Sequence, residues 1–163
     1  MHTTLHLIPV SLSEASAQQW LPAEAQSMAS QIDVYIAENA KTARAFLKLI
    51  GTVKPIQEIT IHTLSSKTQD AEIQQWLKHP GHEARIGLVS EAGCPAVADP
   101  GAKVVMQAHQ MGIRVIPWVG PSSILLGLMA SGLEGQRFTF HGYAPVNGAE
   151  RVQQLKQWEQ QSA

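Results

Sequence analysis

The chain has 163 residues, 44% of them hydrophobic and 15% charged, with a formal net charge of −1. That length suits about one domain, the hydrophobic share excludes a disordered chain, and no basic run or tail supplies an electrostatic footprint for nucleic acid. A single cysteine, Cys94, excludes an intrachain disulfide; no apolar run reaches the ~18 residues of a membrane span, and the opening "MHTTLHLIPV" lacks the pattern of a secretory leader, so a soluble cytoplasmic protein is expected.

Short β-branched runs alternate with helical stretches. Residues 3–10 predict a strand, 21–32 a helix and 34–38 a second strand. Residues 39–51 form the best-marked helix. Asn39 can cap it, Ala43, Phe46, Leu47 and Ile50 share one face, and Gly51 stops it. Strand character returns at 56–64, followed by a helix over 67–79. Residues 84–90 read as a strand buried on both faces, because they run almost without interruption through apolar or small side chains. A helix at 100–112, a strand at 113–119, a helix at 121–132 and a strand at 137–143 complete the alternation, and residues 148–163 predict a last helix. The spacing argues for βαβ units: an α/β fold with an open, mostly parallel five-stranded sheet and helices on both faces. Residues 1–135 are taken as this first domain and 136–163 as the start of a second α/β domain.

The stretch "GLVSEAGCPAVADPG", residues 87–101, delivers Glu91 to the carboxyl end of a parallel strand, where open α/β sheets bind ligands. Gly93 permits a sharp turn or a close approach, and Pro95 stiffens it. Asp99 and Pro100 read first as a helix start, Asp99 as the acceptor for first-turn amides. Glu91 has no such structural partner in sequence and is the candidate for ligand contact. The next strand ends alike, in "IPWVGPSSI", where Gly120 and Pro121 precede Ser122 and Ser123 at a helix N-terminus able to bind a carboxylate or phosphate. Two such loops at successive strand ends imply a shared crevice.

These segments resemble a known family. "SEAGCPAVADPG" is similar to the S-D-A-G-x-P-x-x-x-D-P-G segment of the tetrapyrrole methylase family, the class III S-adenosylmethionine-dependent methyltransferases. "GIRVIPWVGPSSILLGLMASGL", "RFTFHGYAP" and "VYIAENAKTARAFLKLIG" resemble segments of the branch that methylates a ribose 2′-oxygen of small-subunit ribosomal RNA, and the match runs from about 34 to 145. The resemblance implies S-adenosyl-L-methionine as cofactor, held between two α/β domains of a homodimer. It assigns cofactor contacts to Pro9 in the loop after the first strand, to Glu91, Ala92, Gly93 and Cys94, and to Gly120, Ser122, Ser123 and Ile124. The methyl acceptor is an RNA ribose hydroxyl or a tetrapyrrole or other small molecule. Glu38 stands where the branch has its E-D pair and is the candidate for acceptor-side or base chemistry, with His62 a weaker one. The alternative is a non-catalytic cofactor-binding or dimerisation module of the same fold; a generic mononucleotide-binding domain rests on fold analogy alone.

Three departures accompany the resemblance. The loop after the first strand reads "IPVSLSEA", with no glycine after Pro9 and with Glu14 its only acid. The family's aspartate is Glu91 here, one methylene longer. Sequence for most of a second domain is absent, so the chain is expected to be an N-terminal part. Other conspicuous residues read as structural. "HPGH" at 79–82 lacks zinc-module spacing, so no metal is expected. Cys94 has no basic partner nearby in sequence and is expected to line the cofactor pocket. Trp20, Trp76, Trp118 and Trp158 are too scattered for a stacking platform, and Lys41 and Arg44 are expected to be solvated.

Overall fold

The computed structural model describes residues 3–78 and 84–161; the 79–82 histidine pair considered above as a metal site lies outside the described residues. Strands β1 (Thr4–Leu7), β2 (Val34–Ala37), β3 (Thr60–Thr63), β4 (Arg85–Val89) and β5 (Arg114–Pro117) form one sheet in the order β3-β2-β4-β1-β5, and every pairing is parallel. Helices α1 (Ala23–Ser30), α2 (Ala40–Ile50), α3 (Asp70–Lys78), α4 (Gly101–Gln110), α5 (Ser123–Ser131) and α6 (Gly148–Gln161) follow the expected alternation.

The apolar residues divide into two cores. Tyr35, Ala37 and Val89 pack with α1 and α2, whereas Leu5, Ile36, Ile86 and Leu88 pack with α3 and α4. Successive strand side chains point to opposite faces, so the same strands feed both layers. β4 lies at the centre between β2 and β1, and its Ile86, Gly87, Leu88 and Val89 are all buried. The doubly buried strand expected from the sequence is therefore present.

α2 folds as its sequence specifies. The Asn39 side chain accepts a hydrogen bond from the Lys41 amide at 2.9 Å, the buried residues are Ala43, Phe46, Leu47 and Ile50, and Gly51 leaves the helix at φ 73°. That positive φ is open to glycine without steric cost. Two stretches differ from expectation. Residues 56–58 form a single 3-10 turn, closed by the Glu58 amide on the Pro55 carbonyl at 2.9 Å, so β3 begins only at Thr60. Residues 137–143 form no strand, and all seven are exposed. Alternation of apolar residues in "RFTFHGY" is thus not matched by a ladder.

The chain divides into two compact units, Met1–Leu126 and Gly127–Ala163. Within the second, α6 carries Trp158, whose ring stacks on His141 at 4.9 Å between centroids. Among the described residues no helix is long and apolar enough to cross a membrane.

One sheet contact admits no substitution without adjustment. Tyr35 on β2 is paired in register with Gly87 on β4, and a Cβ at Gly87 would stand 2.3 Å from the Tyr35 ring. The ring lies across the glycine, which lets the Tyr35 hydroxyl donate to the Ala29 carbonyl at 2.6 Å and tie α1 to the sheet. We expect Gly87→Ala to lower unfolding free energy by about 1–3 kcal/mol. Chemical denaturation checks this, and the loss should shrink when the same change is made in a Tyr35→Leu background.

Candidate functional site

The crossovers from β1 and β2 run through α1 and α2 on one face; those from β3 and β4 run through α3 and α4 on the other. β4 therefore has, on each side, a strand whose chain leaves to the opposite face. At such reversals the connecting loops diverge and leave a crevice at the carboxyl ends of the strands. The loops that carry the sequence candidates meet at this end.

Three of those loops lie side by side because β4, β1 and β5 are neighbours. Val10, just past β1, forms an antiparallel bridge with Gly93: its amide donates to the Gly93 carbonyl at 3.0 Å, and the Gly93 amide donates back at 3.2 Å. Gly93 takes φ 70°, and a Cβ there would come within 3.4 Å of the Pro121 carbonyl. Cys94 donates from Sγ to that carbonyl at 3.4 Å. Pro9 packs against Gly120 so closely that a Cβ on Gly120 would stand 2.3 Å from the proline ring. Pro9, Gly93, Cys94 and Gly120 are thus brought together. The glycines serve this packing: Gly93 spends its amide and carbonyl on Val10. Ser122 accepts from the Leu125 amide at 3.4 Å and caps α5, with Ser123 and Ile124 in the first turn.

Burial raises the Cys94 thiol above its ordinary value, which opposes the thiolate a nucleophile needs. Trp118, at the end of β5, donates from its indole nitrogen to His6 Nδ1 at 3.0 Å, with the rings stacked. An indole can only donate, so His6 Nδ1 carries no proton; Nε2 does and donates to Thr4 Oγ1 at 3.0 Å.

Glu38 sits apart from this cluster. It directly follows β2 and lines a cleft of about 930 Å³ together with Asn39, Ser65, Glu91, Asp99 and Lys103. Burial, then the nearby Asp99 charge, raises the Glu38 carboxyl above its ordinary range, partly offset by a hydrogen bond from the Glu91 amide. Asp99 is raised by burial, against the amides of Gly101 and Ala96 that it accepts at 2.7 and 3.0 Å. Those bonds make Asp99 the structural acceptor that its sequence context indicates. Within the turn they brace, Ala96 and Ala98 take φ 67° and 59°, a region that non-glycine residues rarely adopt.

Glu91 is exposed and lines two cavities. The second, of about 320 Å³, lies between the 10–20 segment and α2, under Trp20 and Phe46. Thr42 donates to Glu91 at 3.4 Å across its rim. Sequence reasoning missed this pocket, since Trp20 and Phe46 read only as core; their rings lie 6.3 Å apart. His62 stacks on Trp76 at 5.0 Å, and neither lines the large cleft. Among the described residues no group of three or more histidine, cysteine or acidic side chains could hold a metal ion.

No family model matches the chain. Among curated proteins it is 30% identical over 152 residues to "Ribosomal RNA small subunit methyltransferase I" of Xylella fastidiosa, covering 93% of this chain and 53% of that protein. The protein of the same name from Haemophilus influenzae is 31% identical over 127 residues, 78% of this chain and 43% of its own length. That from Mesorhizobium japonicum reaches 45% over 71 residues, 44% and 24% respectively. The chain spans about half the length or less of these relatives.

Two outcomes test this geometry. Asp99→Ala orphans the Ala96 and Gly101 amides and should cost about 1–3 kcal/mol of stability, read by denaturation. His6 has its imidazole held below the ordinary value by burial, then by the Arg85 charge. The unfolded chain takes up that proton first as pH falls, at about 6.5. Stability should therefore drop between there and the lower folded value, and this part of the pH dependence should vanish in His6→Asn.

Proposed function

The chain belongs to the tetrapyrrole methylase family, and from that premise we propose that it is part of an S-adenosylmethionine-dependent methyltransferase whose acceptor is a ribose hydroxyl of RNA. The observation that carries this reading is the position of Glu91. It lines an acidic cleft large enough for a cofactor and lies two residues before Gly93, where the loops after β1 and β5 meet the loop after β4.

The residues fit the cofactor's chemistry. Glu38, Glu91 and Asp99 line the cleft and complement a molecule bearing a sulfonium and an ammonium charge. Glu91 would hold a positively charged or hydroxyl part of it. Peptide groups at Ala92 and Cys94, and the turn from Gly120 through Ser122 and Ser123 to Ile124, would orient the rest, with Pro9 as the wall behind Gly120. When bound, S-adenosylmethionine supplies an electrophilic methyl group. The protein's part is mainly to position the acceptor in line with that group. Glu38 would take the hydroxyl proton, and its raised carboxyl pKa is the direction a base working near neutrality needs. RNA is preferred over a tetrapyrrole because the relatives carry ribosomal RNA in their names. A homodimer and a cytoplasmic location belong to the same reading.

Calorimetric titration with S-adenosylhomocysteine, with ATP as control, tests it. The expected result is micromolar binding of the former alone, weakened at least tenfold by Glu91→Ala. Equal binding of ATP, or no binding of S-adenosylhomocysteine, overturns it.

A further inference from the structure

Glu91 also forms one rim of the smaller pocket, and nothing above uses that space. Its floor and walls are Trp20, Phe46 and Leu49, with Thr42 and Ser90 beside the carboxylate at the mouth. At about 320 Å³ it has room for a single flat ring system and little more. The aromatic walls suit stacking, and the one charged group at the rim is an acceptor that calls for an N–H donor on the ring's edge. Carboxylates take that role toward amino-bearing bases.

The face of α2 next to the pocket adds a second observation. Thr42, Ala45, Phe46 and Leu49 line the pocket. Lys41, Arg44 and Lys48 fall on the adjoining stripe of the same helix at three- and four-residue spacing. All three are exposed, and α2 contains no acidic residue. A cationic stripe beside an aromatic slot is what an unstacked nucleotide requires: phosphates outside, base inside.

We propose that the pocket between the 10–20 segment and α2 receives one amino-bearing base of a single-stranded RNA. In this arrangement the ring packs against the wall formed by Trp20, Phe46 and Leu49, Glu91 accepts from its amino group, and Lys41, Arg44 and Lys48 meet the flanking phosphates. The inference rests on the RNA reading above and names how that RNA is held. It also gives Glu91 two neighbours, the acceptor's base on one side and the acidic cleft on the other.

Fluorescence anisotropy with labelled ten-residue oligocytidine and oligouridine, on the full chain, tests this. Oligocytidine should bind at least fivefold tighter. Ala45→Trp, which fills the pocket from an exposed helix position, should weaken oligocytidine binding at least tenfold while S-adenosylhomocysteine titration stays unchanged. Glu91→Gln should cut the cytidine preference below twofold. Arg44→Ala should weaken both oligomers alike and lower the salt dependence. Unchanged oligocytidine binding by Ala45→Trp, or no binding of either oligomer by the unaltered chain, overturns the inference. Loss of S-adenosylhomocysteine binding in Ala45→Trp with RNA binding intact would also overturn it, by assigning the pocket to the cofactor and sparing the methyltransferase reading. Absence of S-adenosylhomocysteine binding in the unaltered chain would instead count against that reading alone.

Discussion

The central position of β4 is the constraint from which the rest follows. A strand hydrogen-bonded on both sides and covered on both faces has to be apolar along its length, and Ile86 to Val89 comply. Gly87 complies in a particular way. It surrenders its side chain so that Tyr35 can cross it and anchor α1 through the Ala29 carbonyl. With α1 and α2 fixed on one face and α3 and α4 on the other, the chain leaving β4 emerges at the middle of the sheet. It finds the ends of β2 and β1 to either side. Glu91, two residues past the end of β4, owes its position between two cavities to this arrangement.

The loop after β4 is held under tension by its own carboxylate. Ala96 and Ala98 both occupy left-handed backbone, a conformation that disfavours any side chain by roughly 1 kcal/mol or more per residue. Asp99 braces this turn by accepting from the Ala96 amide with both oxygens and from the Gly101 amide, at the start of α4, with one of them. Burial raises the Glu38 carboxyl, and the half-buried Asp99 carboxylate adds to that rise. One aspartate thus couples loop shape to the electrostatics of the cleft, and a cationic ligand entering there would relieve the crowding of negative charge.

Much of this was legible in the chain. Helix α2 shows its cap, face and stop in eleven residues and two flanking ones, and the structure repeats them residue for residue. β4 was legible because double burial leaves an unbroken apolar run. The adjacency of the Gly93 and Gly120 loops was suggested by their likeness at successive strand ends, and that of the Pro9 loop by the family resemblance. What they do to one another was not: Gly93 reads as a close-approach glycine, yet the partner it approaches is Val10. Residues 137–143 misled for a related reason. Alternation records that a strand could form, whereas a strand forms only where another offers a free edge. The small pocket escaped because Trp20 and Phe46 are far apart in sequence and individually ordinary; it exists only once α2 lies against the 10–20 segment.

Net charge leaves the arrangement of charge on the surface open. A value of −1 over the whole chain argues against a nucleic-acid partner only if the charges are evenly mixed. Here they are largely sorted, with Lys103 the one basic side chain lining the acidic cleft. Glu38, Glu91 and Asp99 gather at the strand ends, while α2 carries Lys41, Arg44 and Lys48 with no acid among them. Salt screens exposed charges over roughly 8–10 Å, so fields of opposite sign can persist on neighbouring parts of one surface. An anionic polymer and a cationic small molecule make opposite demands on a protein. A chain that meets both, as proposed for this one, is better served by segregated charge near neutrality than by an excess of either sign, and composition is the same for that state and for one that binds neither.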